Sequence, residues 1–483
     1  MKKNDNGLLS NLSWKFAERI SAQVITLVVS IVLARVLDPS HYGIIAIVLI
    51  FITLANVLVS DGFGSALIQK KDPDNLDYSS VLIFNIVFSF FLYALLFLVA
   101  PLITSFFGEG YELLTPVLRV LGLRIIVSGI NSVQQAYIAK KMIFKKFFIA
   151  TLFGTIISGI VGIWMAYNGY GVWSLVFQYL INTTVDTLVL GLVLRWWPGF
   201  RFSIQRLKLL LKYGWKILGA SLLITGFQEL RAIIIGKVYS SDDLAFYDKG
   251  RQFPNLVVTN INSSIGAVLF PKMSNEQNDI AKIKATTRNS IRFSSFFMSP
   301  MMFGLAAVAT PFVTVVLTEK WLPCVPLLQL FCIIYLFQPI HTANMQAIKA
   351  VGKSGTYMIL EIVKKSIELA VLIVTMWFGV TAIVVGMAAM TTLFVFVNAF
   401  PNIKILNYSI KEQLSDVFPP IIMSVIMFVL VLLVGLLPIN NILVLCIQIV
   451  SGIIIYLILS FFTKNSEFLF IKKLLISKIH KQH

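Results

Sequence analysis

Acidic residues are scarce: of 483 residues only 22 are Asp or Glu, against 40 Lys or Arg, and charged residues make up 13% of the chain. Histidine (4) and cysteine (3) are scarcer still. Cys324, Cys332 and Cys446 lie in or beside apolar stretches, without zinc, redox or disulfide-framework spacing, and read as small core residues. No metal site or resident cofactor is expected. No polar stretch is long enough for a soluble catalytic domain or for the large loop of a polymerase or ligase, so the chain is not expected to be an enzyme. A complete P-loop is missing as well. Gly352-Lys353-Ser354 ends like one, but Ala347 stands where the motif needs glycine, and no strand precedes it. No cleavable signal peptide is expected, because the basic, polar start runs into an apolar stretch long enough for a full span.

What the chain does have is apolar surface. Hydrophobic residues make up 58% of it, 38 of them Phe, and mean hydropathy is +0.86. A soluble domain cannot hide that much, so the bilayer is its expected solvent. The pattern predicts an all-α polytopic protein of fourteen spans, at about 12–37, 42–60, 80–100, 113–136, 147–167, 171–194, 213–238, 252–270, 293–317, 323–347, 357–378, 382–400, 417–437 and 442–462. Pro101 is expected to end the third helix and, with Gly108, to frame a short acidic turn.

The chain also repeats itself. Shifted by about 210 positions, 100–140 lands on 310–350: Pro101 on Pro311, Glu109 on Glu319, Pro116 on Pro326. Trp14-Lys15 echoes Trp215-Lys216, Gly64 echoes Gly266, and Gly171-Val172 echoes Gly379-Val380, at offsets of 201, 202 and 208. Colinear echoes predict two homologous six-helix halves, 1–194 and 213–400. A basic interfacial linker, 195–212, joins them, and two extra spans (401–463) and a basic tail (464–483) follow. Basic clusters at Lys140–Lys146, Arg195–Lys212 and Lys272–Arg292 alternate with poorly charged loops, which puts both termini in the cytoplasm. Six spans per half make the repeat parallel, with the expected substrate site between the halves near the midplane.

Charges inside spans are the candidates for function, since each costs about 2.5–3.5 kcal/mol at the bilayer centre on insertion scales. Arg19, Arg119, Arg124, Arg231, Lys364 and Lys365 suit an anionic group, because guanidinium forks grip phosphate and stay charged. Glu18, Asp186, Glu229, Glu361 and Glu368 are candidates for ion coupling or pairing. Gln23, Asn255, Asn260 and Asn344 suit sugar hydroxyls. Structural roles compete. Glu361–Lys365 and Lys364–Glu368 have the spacing of self-neutralising pairs, Arg124 and Asp186 suit a pair between two helices, and Arg119 and Lys216 suit snorkelling. His341 reads as a helix-packing residue. Basic residues still exceed acidic ones in the spans of both halves, which favours a transporter of an anionic substrate over a cation exporter.

Several motifs then carry a resemblance. Ser13-Trp14-Lys15-Phe16, Ala34-Arg35-Val36-Leu37-Asp38-Pro39-Ser40-His41-Tyr42-Gly43 and Asp61-Gly62-Phe63-Gly64, with Ala66-Leu67-Ile68-Gln69 after it, are similar to polysaccharide exporters of the Wzx type. These belong to the multidrug/oligosaccharidyl-lipid/polysaccharide (MOP) flippase superfamily, and the colanic-acid and teichuronic-acid exporter branch is the one resembled. The resemblance implies a fold like that of multidrug and toxic compound extrusion (MATE) transporters. It also implies flipping of undecaprenyl-diphosphate-linked repeat units across the bacterial inner membrane by alternating access, with proton, sodium or membrane-potential coupling. Expected partners are that glycan lipid, membrane lipids, a polysaccharide polymerase and glycosyltransferases, and no nucleic acid. Alternatives within the superfamily are a peptidoglycan-precursor flippase and an ion-coupled drug antiporter.

Overall fold

The computed structural model describes residues 22–276 and 279–479, and among them it contains helices and no strand. Among the described residues ten helices are long and apolar enough to cross a membrane, or eleven if one bent pair is a single span. The chain divides into two compact units, Met1–Ala245 and Phe246–His483.

The first unit holds α1 (Ala22–Val36), α2 (Pro39–Gln69), α3 (Asn75–Phe107), α4 (Leu114–Lys141), α5 (Phe144–Tyr167), α6 (Val172–Leu194), α7 (Ile204–Val238) and the start of α8 (Ser241–Asn275). Asp38-Pro39 starts α2 as expected, with proline in the first turn where its missing N–H costs nothing. Asp74 and Asp77 start α3 through a reciprocal capping box. The Asp77 backbone N–H, donating to the Asp74 carboxylate, is the main reason that group is held below its usual carboxylate value.

Against expectation, α3 does not stop at Pro101 but runs on to Phe107, with Gly108 (φ 97°) as its cap. Pro101 cannot donate to the Phe97 carbonyl, four residues back, which leaves that acceptor exposed in an apolar medium. Arg119 on α4 supplies the missing donor, its Nε lying 3.3 Å from the Phe97 oxygen with the guanidinium 4.2 Å from the Phe97 ring centre. One side chain from a neighbouring helix therefore lets the proline sit inside α3.

Helix α7 packs along α2 and against α3. Their crossing needs glycine, since a Cβ on Gly214 would lie 2.5 Å from the Gly62 carbonyl oxygen. The basic segment before α7 folds onto the start of α3. There Arg206 meets Asp74 at 3.3 Å, Lys70 meets Asp77 at 2.6 Å, and Trp196 stacks on Tyr137 with ring centres 3.8 Å apart.

The second unit holds the rest of α8, then α9 (Ile280–Ala307), α10 (Ala309–Val316), α11 (Cys324–Leu336), α12 (Gln338–Ala350), α13 (Ser354–Thr375), α14 (Val380–Leu406), α15 (Ile410–Val434), α16 (Asn441–Phe462) and α17 (Ser466–Ile479). The expected straight helix over 293–317 is instead α9 and α10, meeting at 67°. The sequence around the bend is proline-rich. Pro311 falls in the first turn of α10, where no N–H is required. Pro300, inside α9, frees the Phe296 carbonyl, and Tyr456 of α16 donates its hydroxyl to it at 2.8 Å. Pro339 likewise marks the joint of α11 and α12, which together make one apolar stretch, Cys324–Ala350.

A stripe of α9 cations at four-residue spacing clamps α15 and α17 to this unit. Lys284 meets Glu412 at 2.9 Å, Arg288 meets Asp416 at 2.7 Å and Arg292 meets Glu467 at 2.7 Å.

Candidate functional site

Each unit holds a polar, half-open cavity, of about 350 and 340 Å³ respectively. The first opens among α2, α4, α5 and α6, the second among α12, α13 and α14. A shift of 210 positions carries Asn131 onto His341, and both bridge to the last helix of their cavity. The Asn131 amide donates to Asp186 Oδ2 at 3.0 Å, and the Asn398 amide lies 2.9 Å from His341 Nδ1.

In the first cavity Arg124 and Asp186 come together, though not as the ion pair that their spacing on neighbouring helices suited. Arg124 Nε donates to Thr183 Oγ1 at 2.7 Å, and the guanidinium lies 5.7 Å from the Tyr179 ring centre. Among the described residues no carboxylate pairs with it, and its terminal N–H groups make no hydrogen bond. Asp186 Oδ1 is buried beside the Thr151 hydroxyl, and Asn56 Oδ1 is a buried acceptor with no hydrogen bond among the described residues. Asn182, Gln135, Thr151 and three serines complete a wall of amides and hydroxyls.

The second cavity carries more charge, nearly all of it self-neutralised. Lys364 pairs with Glu361 at 2.7 Å and Lys365 with Glu368 at 2.9 Å, so the pairs form over three residues instead of the expected four. Lys349 lies 4.1 Å from the Tyr357 ring centre. His341 faces α14 with both ring nitrogens, Nδ1 toward the Asn398 amide and the buried Nε2 toward the backbone at Thr391.

The remaining sequence candidates among the described residues line neither cavity. Arg119 caps the Phe97 carbonyl. Asn344 is fully buried, donating to Gln413 at 3.0 Å and accepting from Asn402 at 2.8 Å, and so joins α12 to α14 and α15. Asn260 bonds the Leu256 carbonyl one turn back, and Asn255 is exposed beside Thr259. Glu229 and Arg231 are half-buried on α7, and Gln23 is half-buried on α1. Glu18 and Arg19 lie outside the described residues. Sequence reasoning passed over Asn131, Thr183 and Asn398. The signal for the first was available, because the repeat pairs it with His341.

Residues 32–326 match the family described as polysaccharide biosynthesis protein. The chain belongs to this family. The polysaccharide biosynthesis protein family is one of membrane transporters, not enzymes. A relative in Rhizobium meliloti, the succinoglycan biosynthesis transport protein ExoT, is 23% identical over 68% of this chain and 66% of its own. Another in Bacillus subtilis, the teichuronic acid biosynthesis protein TuaB, is 23% identical over 72% of each chain. The chain thus spans about two thirds or somewhat more of these relatives. Among solved structures, the lipid II flippase MurJ in an inward closed conformation superposes with a TM-score of 0.76, at 17% identity, over 93% of this chain and 99% of that one. An inward-facing MATE transporter of the MOP superfamily gives 0.62 at 14% identity, over 80% of this chain and 96% of that one. Those likenesses establish the fold, a multi-pass helical one of the MurJ and MATE kind.

Proposed function

We propose that this chain is a flippase that carries undecaprenyl-diphosphate-linked oligosaccharide repeat units across the bacterial cell membrane by alternating access, for surface polysaccharide assembly. The match to the polysaccharide biosynthesis family over 32–326 carries this reading. Fourteen spans follow if α1, α8 and α13 are added to the apolar helices. Helix α13 fails a simple hydropathy count because of its four charges, but two intrahelical ion pairs lower the cost of placing them in lipid. The spans form two parallel six-helix halves, 1–194 and 213–400, with both termini cytoplasmic on the side of the basic clusters. Arg124 is the strongest anion contact, with Arg19, Arg231, Lys364 and Lys365 as further candidates. Asp186, Glu361 and Glu368 are candidates for ion coupling.

The test is genetic and chemical. Loss of the gene should abolish surface polysaccharide and accumulate a lipid-linked repeat unit on the cytoplasmic face, and the cloned gene should reverse both. Normal polysaccharide without that intermediate would refute the proposal. The likeness to MurJ favours a second reading, export of a peptidoglycan precursor. Under that reading, expression should rescue cells depleted of their own lipid II flippase.

A further inference from the structure

The two cavities differ in one respect. In the second, protein carboxylates occupy the lysines, through the Glu361–Lys364 and Glu368–Lys365 pairs. In the first, a cation and a carboxylate are both present and do not pair. Arg124 is held from behind, its Nε fixed by Thr183 at 2.7 Å, which leaves the terminal edge of the guanidinium without a hydrogen bond among the described residues. Asp186 is likewise fixed through one oxygen by Asn131 at 3.0 Å, while its other oxygen is buried beside the Thr151 hydroxyl. Asn56 presents a buried oxygen with no hydrogen bond among the described residues. Unsatisfied polar groups at membrane depth cost about 1–3 kcal/mol each, more when charged, so such a set is retained where something else satisfies it.

These groups define the ligand's chemistry. A guanidinium edge takes a planar or tetrahedral oxyanion through two parallel N–H bonds. The Asp186 carboxylate and the Asn56 amide oxygen accept from O–H donors. One oxyanion and adjacent hydroxyls within about 350 Å³, the low end of the ~300–1,000 Å³ typical of small-ligand pockets, describe a single acidic or phosphorylated sugar, not a whole oligosaccharide. Phe147, on the cavity lining, adds an aromatic side chain of the kind that packs on a sugar ring.

We infer that the cavity among α2, α4, α5 and α6 is a subsite for one anionic sugar residue, with Arg124 receiving the oxyanion and Asp186 and Asn56 receiving its hydroxyls. The inference rests on the flippase reading for its biological substrate, but not for its chemistry. The oxyanion has two possible sources, a uronic carboxylate within the repeat unit or the phosphate that joins the first sugar to its carrier. Helix α13 lines the cavity of the second unit with its own ion pairs, so the second cavity lacks this affinity.

The experiment uses the full chain purified in nanodiscs, with saturation-transfer NMR and competition titration of glucuronate, glucose 1-phosphate and glucose. Wild type should bind at least one of the anionic sugars ten-fold or more tightly than glucose. Preference for glucuronate assigns the site to an acidic sugar, and preference for glucose 1-phosphate assigns it to the carrier linkage. Arg124→Gln should erase the anion preference, Arg124→Lys should restore part of it, and Asp186→Asn should weaken all three sugars while leaving the preference in place. Each variant must elute and melt as wild type does. Thr183→Val, which removes only the guanidinium's rear support, provides a milder arm with a several-fold loss. No binding above glucose in wild type, or an anion preference that survives Arg124→Gln, overturns the inference. Complementation of polysaccharide export is scored in parallel. Export without anion binding sinks the subsite and spares the flippase reading, and binding without export does the reverse.

Discussion

Replacing Asp416 with alanine should be among the most damaging single changes outside the cavities. The carboxylate is 8% exposed, and its Oδ2 accepts from Arg288 Nε at 2.7 Å and from the Tyr408 hydroxyl at 2.8 Å, with Arg292 at 3.9 Å from Oδ1. Breaking a buried ion pair from one side costs about 3–5 kcal/mol. The Arg288 side chain is 38% exposed and can turn to water, so most of its share is recovered. Tyr408 is fully buried, and its hydroxyl loses its acceptor at about 1–3 kcal/mol. The sum expected for Asp416→Ala is roughly 2–3 kcal/mol, with Asp416→Asn at about half of that because the amide oxygen still accepts from Tyr408. Equilibrium unfolding in mixed micelles, followed by circular dichroism, measures both. A double-mutant cycle with Arg288→Met then isolates the pair, with an expected coupling of about 1 kcal/mol. Since Asp416 and its partners hold α15 and α17 against α9, the variant should also expose α15 and α17 to proteolysis before the rest of the second unit. A loss under about 0.5 kcal/mol, the usual range for surface changes, would refute the claim that this network clamps the added helices.

Arg119→Met should cost about 1 kcal/mol in wild type and almost nothing beside Pro101→Ala, because alanine restores the N–H that the Phe97 carbonyl lacks; equal costs in both backgrounds would remove the capping role. Tyr456→Phe should lose about 1–2 kcal/mol on the same reasoning at Phe296, and an unchanged unfolding midpoint would contradict it. Gly214→Leu should prevent α7 from seating on α2 and abolish folded yield, whereas Gly219→Ala, with open space around it, should be neutral in size-exclusion profiles. Asp74→Ala should remove about 0.5–1 kcal/mol of cap stability at neutral pH. Because the native Asp74 value is lowered, that contribution is present above the unfolded value near pH 4 and lost as pH falls through the native one, so wild type and variant should converge in acid.

The apolar runs that mark the spans were legible in the sequence because a membrane helix is announced by composition over about twenty residues, and no distant contact is needed to recognise it. Asp38-Pro39 and Gly108 worked as helix boundaries for the same local reason. Pro101 did not, because whether a proline ends a helix depends on who takes the freed carbonyl, and Arg119 is eighteen positions away. Helix rotation was equally hidden. Arg119 and Arg124 lie five residues apart on α4, one turned to α3 and the other to α6, and apolar residues surround both in the sequence. The pairs of α13 were readable as a set, but the rotamers chose partners three residues apart. In the first cavity the bridging residues are amides and hydroxyls, which are uncharged and so carry less signal in the sequence than the charges did.

The shortage of acid is what ties these particulars together. With 22 carboxylates for 40 basic residues, the placing of each carboxylate decides which cations stay available. Asp77 and Asp74 go to Lys70 and Arg206; Glu412, Asp416 and Glu467 go to the α9 stripe; Glu361 and Glu368 go to their own helix. Each of these satisfies a cation, on its own helix or on a neighbouring element. Asp186 alone among them sits within a cavity beside an arginine and is turned by Asn131 away from pairing with it. Had α6 placed that carboxylate on Arg124, the first cavity would be as self-neutralised as the second, and an anionic sugar would find no vacant donor there. The separation of these two side chains is therefore the feature on which anion selectivity depends, and it can be tested by moving the acid: Thr183→Asp, which puts a carboxylate where Arg124 now bonds a hydroxyl, should close the site by forming the missing pair. Anion binding should fall ten-fold or more while the unfolding midpoint holds or rises, and a variant that still prefers anionic over neutral sugars would break the link between acid placement and selectivity.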